Sequence, residues 1–463
     1  MTPRAETPPS AATLVPAACV VPFVLLTACF AAWGLANNMT DPLVKVFSRI
    51  FTMSALQSSL VQFSFYGAYF CLALPAAIII KRYSYKTGVL VGLGLFAAGS
   101  LLFLPASRTM QFGHFLLAIF VLAGGLSILE TSCNPYIIAL GPPDTATRRL
   151  NLAQSFNPVG SVVGTMLAGF MILPYINPAS DVARAAMPPE QLRAVQAAEL
   201  SAVMLPYVAV AAALVVLWTA IAVAEMPPSS DAGPRIDLLP TVGRLARNRH
   251  YAFGVVAQFF YVAAQICVWT FTIHYISAIV ERGDGGPLLK LLESSGIHEL
   301  VRSIRLIRPR QPLSGETVAG MYHICALVAF LAFRFICTAL MRVLRPSLML
   351  AALGAAAMLL TLVVMLSPDL TGVICLVAIS ACMSLMFPTI YGIALHGLGD
   401  DTKLGGAGLV MAILGGALFP LVQGALVDAR GPAFSYVVPL VCFLVVTSYG
   451  LFDLRSKRIA HAS

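Results

Sequence analysis

The sequence predicts an all-α membrane protein of twelve transmembrane helices arranged as two pseudo-symmetric six-helix bundles. Three observations carry this expectation. The 463 residues are 59% hydrophobic and only 11% charged, with a mean hydropathy of +0.86, whereas a soluble domain carries roughly 25% charged residues. Twelve predominantly apolar runs reach about the 20 residues that a helix needs to cross the hydrocarbon. The longest polar interruption near the middle, 226–250, divides those runs six and six.

In order, the runs cover 17–40, 56–80, 87–105, 112–140, 151–173 and 201–225, then 251–280, 318–341, 347–367, 371–396, 405–427 and 433–453. The expected organisation is a cytoplasmic leader (1–16), an N-terminal bundle (17–225), a basic, Pro-containing cytoplasmic linker (226–250), a C-terminal bundle (251–455) and a short cytoplasmic tail (456–463). The leader is polar and Pro-rich, and the apolar run after it is too long for the core of a secretion signal. A weak internal repeat accompanies the six-plus-six division: Pro135 in NPYIIALG and Pro388 in FPTIYGIALHGLG sit at matching places, each before a loop that opens on glycine.

The formal charge of +9 does not point to nucleic acid, because in membrane proteins excess Lys and Arg collect in cytoplasmic loops. With the N-terminus inside, 16 of the 29 basic residues fall on the inner side and 12 on the outer side. Half of the outer ones lie in one long outer insertion at about 281–317. The rest of the chain therefore favours cytoplasmic termini. Within the insertion, apolar residues recur at helical spacing (Leu288, Leu291, Leu292, Ile297, Leu300, Val301, Ile304 and Ile307). They suit one or two amphipathic helices on the outer membrane surface or over the bundle, and equally a plain solvated loop. The ten cysteines are scattered singly and carry no metal spacing.

Ionisable and amide side chains inside apolar runs are costly, at least about 2.5–3.5 kcal/mol for a charge at the membrane centre, so each one suggests function. In the first span, Trp33, Asn37 and Asp41 recur every four residues with Asn38 beside them. An aromatic floor, amides and a carboxylate suit a sugar, whose apolar ring face stacks while its hydroxyls pair; equally, Asp41 could merely end the helix before Pro42. Glu130 lies deep in the fourth span with Asn134 one turn on. Desolvation there favours the neutral form, which fits a proton carrier; a structural hydrogen bond or a pair with Arg334 is the competing reading. Gly124 and Gly125 permit a close neighbour. Gln154, Asn157 and Ser161 follow helical spacing in the fifth span, and Gln258, Tyr261, Gln265 and Trp269 in the seventh. Singly these would be ordinary inter-helix glue; together they argue for a hydrated cavity. Arg334, in the eighth span, suits a charge partner for a carboxylate or a snorkelling cation. His274, His323 and His396 read as structural.

The motifs ANNMTDPL, FYGAYF, KRYSYKTG, LETSCNPYIIALGP, RLNLAQSFN, AQFFYVAAQICVWTF and FPTIYGIALHGLGDDTKLG, in this order over about 20–430, resemble the fucose permease branch of the major facilitator superfamily. The resemblance implies that Asp41 and Glu130 face a central cavity and couple protons to sugar recognition. Related glucose/galactose permeases tend to carry Gln at the Glu130 position and a single Asn in the first-span motif, so Glu130 and the pair Asn37 and Asn38 favour the fucose-like branch. Two features depart from the pattern: the long insertion at 281–317, and the absence of an acidic residue in the loop around Lys81 and Lys86.

The resulting expectation is a multi-pass protein of the bacterial inner membrane, a monomer in lipid, importing a monosaccharide, L-fucose first, with a proton as coupling ion. Trp33, Asn37, Asn38, Glu130, Asn134, Gln154, Asn157, Gln258, Tyr261, Gln265 and Trp269 would bind the sugar. It calls for no cofactor, metal or nucleic acid, and no nucleophile–base set, metal motif or phosphate loop suggests an enzyme. The alternatives are a symporter for another hexose or amino sugar, a drug exporter, whose pocket should be more apolar, and a transporter-like sensor.

Overall fold

The structure, a computed structural model, describes residues 13–50, 55–109, 111–171, 184, 186–227, 238–294 and 315–462, without the side chains of 37–50, 55–59, 62, 168–171, 202, 203, 205, 315–317 and 457–462. Every regular element among the described residues is helical. The first bundle comprises α1 (Val20–Ile50), α2 (Ala55–Arg82), α3 (Tyr85–Thr109), α4 (Phe112–Ala139), α5 (Ala146–Gln154), α6 (Phe156–Met171) and α7 (Pro189–Val223). A short helix, α8 (Leu238–Arg247), lies in the linker. The second bundle comprises α9 (Arg249–Ile279), α10 (Gly286–Ser294), α11 (Gly315–Leu340), α12 (Pro346–Leu366), α13 (Leu370–Met383), α14 (Met386–Leu395), α15 (Thr402–Met411), α16 (Gly415–Arg430), α17 (Pro432–Ser435) and α18 (Val437–Ala462).

Eleven helical runs among the described residues are long and apolar enough to cross a membrane. The remaining predicted span is α5 followed by α6. It breaks at Ser155 because Pro158 has no N–H to give the Gln154 carbonyl one turn back. The tenth span breaks for the same reason between α13 and α14, where Pro388 leaves the Ser384 carbonyl unserved. Large apolar side chains such as Phe63, Val216, Leu359 and Leu421 stand 65–70% exposed on the outside, as expected where the solvent is lipid.

The two bundles repeat one packing plan. In the first, α1 lies along α6, α2 along α4, and α3 against both α4 and α7; in the second, α9 lies along α16, α11 along α13, and α12 against α13 and α18. Glycines set the closest approaches. A Cβ on Gly160 would stand 1.8 Å from the Ala31 carbonyl oxygen, and one on Gly125 would stand 2.3 Å from the Phe96 nitrogen. Only glycine lets these backbones touch.

The end where α7 runs through 224–227 toward α8 is here called the linker end. Contacts between the bundles seal it. Asn151 Nδ2 donates to Thr389 Oγ1 at 3.2 Å, the Ser155 and Thr338 hydroxyls are 3.5 Å apart, and Lys403 Nζ lies 5.5 Å from the centre of the Tyr85 ring. Arg244 of α8 forms a two-pronged ion pair with Asp401, at 2.6 and 2.9 Å. Arg149 is fully buried and its guanidinium serves the frayed end of α4, donating to the carbonyls of Ile137, Ile138, Gly141 and Pro142 and to Leu14 O. The first part of the long insertion is a helix, α10, with Leu288 and Leu292 buried and Tyr322 donating to Leu288 O at 3.0 Å. It packs on the bundle; 295–314 lie outside the described residues.

Candidate functional site

Between the bundles lies a cavity with about 960 Å³ of empty space, its open part included. The first bundle contributes Phe30 and Trp33 from α1, Phe65, Tyr66 and Tyr69 from α2, Glu130 from α4, Gln154 from α5, and Asn157 and Ser161 from α6. The second contributes Tyr261, Gln265 and Trp269 from α9, Phe330 and Arg334 from α11, and Phe387 from α14.

Each polar group is held by the local fold. The tight α1–α6 contact at Gly160 brings Asn157 against α1, where its Nδ2 donates to Phe30 O at 3.3 Å. Trp33, next to Phe30, donates its indole N–H to the Tyr69 hydroxyl, so the indole and phenol form one fixed aromatic wall. Gly125 seats α4 on α3, and Glu130 stands a turn and a half further along, 6% exposed, with Oε2 lacking a hydrogen-bond partner. On the opposite wall, Trp269 Nε1 donates to Ser380 Oγ at 3.3 Å and Tyr261 OH to Met383 O at 3.1 Å. Arg334 lies over the Phe330 ring, 5.0 Å from its centre, and its Nε and Nη1 are unpartnered.

The structure therefore collects Trp33, Glu130, Gln154, Asn157, Tyr261, Gln265, Trp269 and Arg334 from six helices onto one surface. Two predicted residues fall elsewhere. Asn134 is fully buried one turn beyond Glu130, behind the cavity wall, where it accepts from Gln154 Nε2 at 2.7 Å. Gln258 is also fully buried, about one turn from Tyr261 toward the linker end, with both amide atoms unpartnered. In both cases the helical face is the expected one, but the cavity ends before it reaches that depth. The side chains of Asn37, Asn38 and Asp41 lie outside the described residues.

Glu130 and Arg334 line the same space without an ion pair. The ion pairs among the described residues are Arg184–Glu199, Arg244–Asp401 and His250–Asp453. Sequence reasoning missed the aromatic contributions of Phe65, Tyr66, Tyr69, Phe330 and Phe387. Their signal was faint: aromatics three or four residues apart in α2 look the same whether they face a core or a cavity.

Among the described residues the arrangement offers flat aromatic faces, amides and hydroxyls, one carboxyl group and one guanidinium, all between the two bundles. It suits a small, uncharged molecule rich in hydroxyl groups. No group of His, Cys, Asp and Glu among the described residues could hold a metal ion.

The chain is 40% identical to the L-fucose-proton symporter of Haemophilus influenzae, over 93% of this chain and 96% of that protein. It is 33% identical to the glucose/galactose transporter of Brucella abortus, over 93% of each. Among solved structures it resembles FucP, the fucose:proton symporter of E. coli, in the outward conformation, with a TM-score of 0.79 and 33% identity over 94% of this chain and 99% of that one. The sequence pattern of the Major Facilitator Superfamily matches residues 24–420. Twelve spans in two repeated bundles, a polar cavity between them and a match across most of the length converge on one conclusion: this chain is a transporter of the Major Facilitator Superfamily.

Proposed function

We propose that the chain is a proton-coupled sugar symporter of the bacterial inner membrane, importing L-fucose by alternating access, with both termini in the cytoplasm. The observation that carries this reading is the cavity between the bundles, where amides and aromatic faces surround the Glu130 carboxyl. The similarity to proteins named for L-fucose and proton transport supports it. One chain encloses the whole cavity, so a monomer suffices.

On this reading the linker end is cytoplasmic, and the structure is the state closed to the cytoplasm. Sugar entering from outside stacks on Trp33 and Tyr69 and pairs its hydroxyls with Gln154, Asn157 and Gln265. Asp41, nearer the outer end of α1, takes up the proton, and Glu130 couples its own charge to that event. A buried carboxylate without a partner is strongly disfavoured, so the protein closes around the sugar in the protonated form. Arg334 keeps the cavity hostile to cations. Coupling requires that sugar and proton favour the same conformational change, since a ligand indifferent to conformation shifts nothing. The energetics are adequate: a membrane potential of 100 mV is worth about 2.3 kcal/mol per proton. At 1.4 kcal/mol per factor of ten, one proton per sugar sustains roughly 40-fold accumulation.

Proteoliposomes with a pH dye inside test the reading. Addition of L-fucose should produce proton uptake, with weaker responses to D-galactose, D-glucose and N-acetylglucosamine. A larger response to glucose or galactose would favour the second reading, supported by the similarity to the Brucella transporter. No response to any sugar would end the symport proposal.

A further inference from the structure

A second space lies between the bundles at the linker end. It is a cleft of about 1420 Å³, including its open mouth, lined among others by Tyr85, Pro135, Tyr136, Gly392, His396 and Lys403. On α4, Glu130 lines the central cavity and Pro135 already lines this cleft; on α14 the corresponding residues are Phe387 and Gly392. At 1.5 Å of rise per residue, the partition is about 7.5 Å thick along either helix, little more than one turn.

Five polar side chains lie fully buried in that turn: the hydroxyls of Thr131, Ser132 and Thr389 are hydrogen-bonded, and Asn134 and Tyr391 complete the layer. Asn134 Oδ1 is held by the cavity residue Gln154, and the Asn134 amide faces both the Glu130 carboxyl and the Tyr391 hydroxyl, yet neither Asn134 Nδ2 nor the Tyr391 hydroxyl completes a hydrogen bond. The Tyr391 ring stacks on Phe387 with centres 6.3 Å apart, tying the partition to the cavity wall. Its hydroxyl points at Gly406 of α15, where a Cβ would stand 2.6 Å from it and 3.7 Å from Pro135 Cγ. Helices from both bundles therefore converge on this one layer.

An inert plug would be better made of apolar side chains, because polar groups whose hydrogen bonds are left incomplete in a dry layer cost free energy. The cost is recovered if these groups find partners in another state. We propose that Asn134 and Tyr391 are the linker-side gate, and that Asn134 Nδ2 and the Tyr391 hydroxyl form a transit site for hydroxyl groups passing from cavity to cleft. The identity of the passenger rests on the transport reading above; the gate does not.

The full chain in proteoliposomes separates the two. Without sugar, the double variant Asn134→Ala, Tyr391→Ala should raise proton leak under an imposed pH gradient at least threefold, because water then bridges cavity and cleft. A smaller rise, in protein that still melts cooperatively, overturns the gate. Should that variant fail to fold, Tyr391→Phe reads the transit site. It should leave L-fucose affinity, followed by tryptophan fluorescence, within twofold of the parent and slow exchange of labelled L-fucose at least tenfold. Exchange at the parent rate overturns the transit site. If the parent protein neither binds nor exchanges L-fucose, the transport reading fails, and the leak comparison still decides the gate.

Discussion

Glu130 and Arg149 show how differently a buried charge-bearing side chain can be treated within one bundle. Arg149 is surrounded by acceptors: five backbone carbonyls, with the Thr145 hydroxyl at 3.1 Å, receive its N–H groups. It closes the end of α4, whose last carbonyls have no helical partners, and it ties down the segment at Leu14. Lysine offers three donors and no planar fork. Arg149→Lys is therefore expected to cost about 2 kcal/mol, read as a lower melting temperature in detergent, while the cavity keeps its sugar affinity. Glu130 Oε2 has no hydrogen-bond partner in the cavity wall, which is why the proposed function gives this carboxyl a change of protonation state. Glu130→Gln keeps the shape and removes the proton site. It should abolish sugar-driven proton uptake and cut accumulation at least tenfold, while exchange of labelled sugar across the membrane persists. Accumulation at the parent level would remove Glu130 from the coupling scheme.

The elements owe their shape to glycine and proline more than to propensity. The α1–α6 pair has no room for a side chain at Gly160, and this contact delivers both Trp33 and Asn157 to the cavity. Gly160→Ala forces the helices apart at a cost of roughly 1–3 kcal/mol. It should weaken sugar binding by moving Asn157, although residue 160 touches no sugar. A binding isotherm and a melting curve, measured together, check both effects. The prolines at 158 and 388 leave a carbonyl unserved in each bundle. They divide spans 5 and 10 at the level where the cavity gives way to the linker-side seal.

At the scale of the whole molecule, the two bundles meet through α2, α4, α5 and α6 on one side and α11, α14, α15 and α16 on the other. The polar contacts Asn151–Thr389 and Ser155–Thr338 are neutral, and the Lys403 ammonium lies against the Tyr85 ring. A short thiol cross-link between Asn151→Cys and Thr389→Cys should hold the linker end shut. Transport should stop and sugar binding should survive, with reductant restoring flux if the linker is cleavable. Transport undiminished by the cross-link would mean that the linker end does not open at this contact.

Much of this molecule was legible as sequence because hydropathy and helical spacing are local quantities. Lengths of apolar run define the spans, the polar stretch at 226–250 divides them, and a carboxyl deep in an apolar run marks the cavity wall whatever packs beside it. The helical faces of Trp33, Gln154, Asn157, Tyr261, Gln265 and Trp269 could be read in the same way. Depth could not. Asn134 and Gln258 share faces with cavity residues, yet both are fully buried because the cavity ends before it reaches their depth. Phe65, Tyr66, Tyr69 and Phe387 became a wall only once α2 and α14 were placed across from α1 and α9. Periodicity says which way a side chain points along its own helix; only the tertiary structure decides whether it meets lipid, a neighbouring helix or a cavity, because that depends on residues hundreds of positions away.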